Sequence, residues 1–155
     1  MPPEFDAQRL IDDTTVAREA LLTRARGLSE SRIYGRTARA GWTLKHELSA
    51  VAAADRELVQ LLGELARDVS VPPQGFDLRR GFGEAMHAVQ ELRLNALIER
   101  LEAGGADVAR GLGEHGALLE RPLRIVGREV GSMAEVAMAH LQRIHDAVAT
   151  IDEHS

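Results

Sequence analysis

The chain has 155 residues, 45% hydrophobic, 28% charged and only 3% aromatic, with a formal net charge of −5 and no cysteine. Residues 1–155 are therefore read as one domain with a sizeable core, without disulfides, thiolate metal sites or a cysteine nucleophile, and not as a general nucleic-acid binder. No apolar run nears the ~18 residues that cross a membrane, and the start Met-Pro-Pro-Glu-Phe-Asp lacks leader character, so a cytoplasmic protein with no membrane partner is expected.

Pro2 and Pro3 stop any helix before them, and Asp6 is placed to cap one that follows. Leu10, Ile11, Thr14, Ala17, Leu21 and Leu22 recur near the helical period, which predicts a first helix over about residues 6–27 with Gly27 near its end. Residues 29–41 read as a loop carrying Arg32, Arg36 and Arg39 against one acid, Glu30. Such arginines are either solvated partners of acidic helices or an anion-binding rim for a carboxylate or phosphate.

Thr43 is a good N-cap for the second helix, and Trp42 before it can pack over the first turn. Leu44, Leu48, Val51, Asp55, Leu58, Leu62, Leu65 and Val69 then follow in alternating steps of four and three, a heptad seam. Asp55 interrupts it. A carboxylate on a seam needs a partner or a wet cavity, so Asp55 belongs either to an ion pair or to a functional site.

Pro72, Pro73 and Gly75 form a connector, and Asp77 can cap a third helix with Leu78, Phe82, Met86 and Val89 on one face. After a kink or fresh start at residues 92–95, Leu97, Ile98, Leu101, Val108 and Leu112 continue the pattern. Gly104-Gly105 lies inside it at a cost of about 1 kcal/mol per glycine against alanine, which points to a closely approaching helix or a local distortion. Periodicity lapses over residues 113–131, where Arg121, Arg124 and Arg128 gather. Ser132-Met133-Ala134-Glu135 is a capping box, and Met133, Val136, Ala137, His140, Leu141, Ile144, Val148 and Ile151 form the inward stripe of a last helix. Four long helical patterns with these two long loops predict an all-α four-helix bundle.

The histidines give no metal spacing. His87, His115 and His154 read as surface or locally satisfied residues, and His140 on the inward stripe as a core histidine. His46 stands three residues after Thr43, where an acid would complete a capping box. His145 lies about 100° round from Ile144, on a flank that can face a cleft. His140 and His145 are five apart, whereas chelation from one helix wants three or four.

The stretch Gly41-Trp42-Thr43-Leu44-Lys45-His46-Glu47-Leu48-Ser49-Ala50-Val51 resembles the second-helix opening of the DinB-like superfamily, typically G-W-T-V-x-D-x-L-x-H-L. His145-Asp146 followed by Ile151 is similar to that family's H-D-x-x-H-x-x-x-I ending. The resemblance covers essentially the whole chain and implies an up-down-down-up bundle, often a homodimer. Many members hold a divalent metal through one histidine of the second helix and two of the last. Some use it to activate a low-molecular-weight thiol for isomerase or transferase chemistry.

Carried over by position, the three ligands fall at Ala50, His145 and Ala149. One imidazole and two methyl groups make tight zinc or nickel binding unexpected, so no cofactor is expected. In that topology the second and last helices run antiparallel, which brings Asp55 to His140 as a buried polar contact. Three readings follow: a non-catalytic or small-molecule-binding protein with a small anionic or thiol ligand, a metal-assisted thiol-dependent enzyme, and a structural dimerisation module. In the enzyme reading His145 is a ligand or general base, Asp146 or Asp55 assists, and Arg36 and Arg39 hold an anionic group. Asp55, His140, Asp146, Arg36 and Arg39 are the expected site lining, and whether the chain is an enzyme stays open.

Overall fold

The computed structural model describes residues 6–39, 41–67, 83, 86–89, 91–121, 123–125, 128–130 and 132–154. Four long helices carry it: α1 Ala7–Arg26, α2 Leu44–Arg67, α3 Leu94–Glu114 and α4 Met133–His154. The expected connector, Val69, and the third-helix start with Asp77, Leu78 and Phe82 lie outside the described residues.

Each helix begins where a side chain satisfies its first free N–H groups. The Asp6 carboxylate accepts from the Arg9 N–H at 3.0 Å, and Gly27 closes α1. Thr43 Oγ1 accepts from the His46 N–H at 3.2 Å, while the Thr43 N–H donates to His46 Nδ1 at 3.0 Å. An imidazole thus completes the capping box in place of an acid. Trp42 stacks on that ring at 5.1 Å between centroids and donates its indole N–H to Glu47 at 2.6 Å. Residues 91–93 are not helical and α3 starts afresh after them, with Glu30 of the first loop accepting from the Leu94 N–H at 2.9 Å. Ser132 Oγ accepts from the Glu135 N–H at 3.4 Å at the head of α4.

The core divides into two apolar halves, and the helices' order through them gives the topology. One half holds Ala17 and Leu21 of α1, Leu44 and Leu48 of α2, Leu97 and Leu101 of α3, and Ile144 and Ile151 of α4. The other holds Leu10, then Leu58 and Leu62, then Val108 and Leu112, then Met133 and Ala137, from the same four helices in order. Hence α1 and α4 run one way while α2 and α3 run the other, the up-down-down-up arrangement. Contacts join α2 to α3, α1 to α4, α1 to α3 and α2 to α4, so α1 and α2 face each other across a diagonal.

Between α3 and α4, where only a loop was expected, a small hairpin pairs β1 Leu123–Ile125 with β2 Arg128–Val130, Leu123 opposite Val130. Two three-residue strands are too short to announce themselves by alternation. The architecture remains all-α. Among the described residues no helix is long and apolar enough to cross a membrane.

Candidate functional site

Where the two half-cores meet, all four helices contribute to one buried polar cluster. Arg18 of α1 reaches across the diagonal to Asp55 of α2, its Nη1 donating to Oδ2 at 2.9 Å and its Nη2 pairing with Oδ1. The same Nη1 lies 3.3 Å from the Leu101 carbonyl of α3. From α4, His140 Nε2 meets Asp55 Oδ1 at 2.7 Å. The three side chains are 6%, 3% and 3% exposed.

This is the Asp55–His140 contact that an antiparallel α2 and α4 predict, with a third member that residue spacing did not single out. Arg18 is four residues after Thr14 and three before Leu21, on the apolar side of α1. A cation in that register, facing a helix with an acid on its seam, was the available signal. The bidentate pair holds both carboxylate oxygens, and His140 Nε2 adds a second partner to Oδ1. His140 Nδ1 and Arg18 Nε are buried without a hydrogen-bond partner among the described residues.

Gly104 and Gly105 make room for this cluster. A Cβ on Gly104 would stand 2.9 Å from Asp55 Cγ and 3.1 Å from its Cβ, and closer still to Oδ2. One on Gly105 would meet Arg18 Cγ at 3.0 Å and its Nε at 3.1 Å. The glycine pair is explained by close approach, without any helix distortion. On either side of these glycines a cleft opens, about 550 Å³ between α2 and α3 and about 240 Å³ between α1 and α3.

The remaining expected site residues do not join the cluster. Ala50 is 2% exposed on α2, whereas His145 and Ala149 are exposed on α4. Asp152, two turns beyond His145 on nearly the same line of the helix, pairs with Arg24 of α1 at 3.2 Å. His145 therefore stands on the flank of α4 toward α1, not on the seam with α2 that carries Ala50. Asp146 is exposed and accepts from Gln142 at 2.8 Å. Arg36 is exposed in an isolated bridge with Thr43, and the Arg39 guanidinium lies 4.3 Å over the Trp42 ring. Among the described residues no group of three or more His, Asp or Glu side chains is placed to hold a metal ion.

No protein-family model matches this sequence, and no curated protein matches it. Two solved structures share its fold: a mycothiol-dependent maleylpyruvate isomerase and a histidine-to-alanine mutant of that enzyme. Each matches with a TM-score of 0.78 at 13% identity over 96% of this chain. The chain spans 61% of the length of those isomerase chains. The fold is the DinB-like one.

Proposed function

We propose that this chain is a DinB-like bundle without the three-ligand metal centre, acting as a non-catalytic small-molecule-binding protein. The observation that carries the reading is the divergence of the expected ligand positions: a buried methyl at Ala50 on α2, and His145 turned toward α1. One imidazole on an exposed flank supplies too few donors for a stable zinc or nickel site. The polar cluster is no substitute, because Asp55 is already held by Arg18 and His140. Metal analysis of protein purified from zinc- and nickel-supplemented medium tests this, with His145→Ala as control. Stoichiometric metal that disappears in the variant overturns the reading. A homodimer in the cytoplasm is part of the proposal, and light scattering of the purified protein tests the dimer.

A second reading, a metal-assisted thiol-dependent isomerase or transferase, is favoured by the likeness to the mycothiol-dependent maleylpyruvate isomerase over 96% of the chain. Turnover of maleylpyruvate with mycothiol, lost on His145→Ala, would establish it in place of the first.

A further inference from the structure

The larger cleft, between α2 and α3, owes its depth to Gly104. With no side chain at residue 104, the floor reaches Asp55 and Ala52, both of them buried. Val59 of α2, Ala103 of α3 and Val89, just before α3, give it apolar lining. At its edges stand two exposed arginines, Arg56 from α2 and Arg100 from α3. Neither makes a hydrogen bond or ion pair with any described residue, although acids outnumber bases in the chain by 24 to 19.

The acids of the cleft are already engaged. Asp55 is held by Arg18 and His140, and Asp107 pairs with Arg110 one turn on along α3. What the cleft offers a ligand is therefore positive: two guanidiniums on opposite walls above an apolar trough. Its volume of about 550 Å³ lies in the usual range for small-molecule sites, which combine apolar walls with a few placed charges.

We infer that this cleft binds a small organic carboxylate, its apolar body against Val59 and Ala103 and its anionic group held between Arg56 and Arg100. Guanidinium groups suit this role because their planar fork matches a carboxylate. The site is separate from the α2–α4 seam, since Ala52, Arg56 and Val59 share a face of α2 roughly 200° from Ala50. It also differs from the Arg36–Arg39 rim expected from sequence, where Arg39 is occupied by Trp42. The inference rests on the small-molecule-binding reading and gives it a place and a ligand class.

The test is calorimetric titration at low salt with benzoate and hexanoate, and with benzamide and hexanamide as uncharged counterparts. Arg56→Gln and Arg100→Gln are compared with wild type after circular dichroism shows both folded, which their exposure favours. The expected result is saturable binding of the carboxylates, weakened about tenfold by either substitution and by added salt, with the amides far weaker. Equal binding of acids and amides, or unchanged carboxylate binding in both variants, overturns the arginine clamp while leaving a small-molecule binder in place. Absence of saturable carboxylate binding in wild type overturns the inference outright. Stoichiometric metal at His145 instead removes the reading beneath it.

Discussion

Gly104→Ala is the sharpest test of how the polar cluster is packed, because two effects of opposite sign compete at one methyl group. In a helix interior, alanine in place of glycine gains about 1 kcal/mol from the backbone. At residue 104 the new Cβ meets the Asp55 side chain, at 2.9 Å from Cγ and 3.1 Å from Cβ. The Asp55 Cβ is fixed to α2, and its carboxylate is fixed by Arg18 and His140, so nothing yields cheaply. Displacing that carboxylate breaks a buried pair, at a cost of about 3–5 kcal/mol. The net effect is a loss of about 2–4 kcal/mol once the backbone gain is subtracted. For a chain of this size that lowers the melting temperature by roughly 5–15 °C. Gly63, in α2, has open space where a methyl would stand, with no described neighbour within 4 Å, and serves as the control. Gly63→Ala should stabilise by about 0.5–1 kcal/mol. Urea and thermal unfolding of the two variants read the contrast directly. If Gly104→Ala is as stabilising as Gly63→Ala, the account of the cluster is wrong.

Three further outcomes are expected. Arg18→Met alone should cost about 3–5 kcal/mol in urea unfolding, whereas adding Asp55→Leu and His140→Leu should recover most of it, because no buried charge is then left unpaired. His46→Ala should lose about 1 kcal/mol through the cap of α2, and His46→Glu should not, since a carboxylate can accept the same Thr43 N–H. Equal stability of all three proteins would mean that the imidazole cap carries no weight. Glu30→Ala should cost about 1 kcal/mol and speed amide exchange at Leu94, whose N–H the Glu30 carboxylate accepts.

Much of the scaffold was legible because it rests on repetition. The α2 seam shows in the leucine spacing, and from Leu44 to Leu65 every seam position is buried. Asp55 was visible as an intruder on that seam, and His140 as its partner through antiparallel register. Arg18 was not, because an arginine on a helix reads as solvated until the opposing acid is placed in space. The glycine pair could be seen as costly, but its reason lies in side chains of two other helices. Helical angle put His145 on a flank of α4 without saying which neighbour that flank faces; the Arg24–Asp152 pair decides for α1. The imidazole cap escaped notice because histidine accepts at Nδ1 only when the proton sits elsewhere, which a spacing rule for acids does not cover. The arginines of the α2–α3 cleft are scattered in sequence and meet only once α2 and α3 lie side by side.

The polar cluster has a consequence for how this bundle settles on one alignment. Apolar heptads alone permit neighbouring helices to slip by seven residues with little change in chemistry. The α2–α3 interface shows how close that alternative lies. Asp55 packs at Gly104, and one heptad on, Leu62 packs at Gly111, where a methyl would come 3.3 Å from Leu62 Cδ1. Slipping α2 by seven toward the end of α3 would place Asp55 at Gly111 and Leu48 at Gly104, so the small residues would still accept the shape. The charges would not. Arg18 and His140 reach Asp55 from α1 and α4, which do not move with α2, and the slipped carboxylate would be buried among leucines without either. An unpaired buried charge costs several kcal/mol, comparable with the whole stability of many domains. Shape therefore narrows the register to steps of seven, and the Arg18–Asp55–His140 cluster selects among them. That role accounts for three buried polar side chains in the middle of an apolar core without assigning them any chemistry on a ligand.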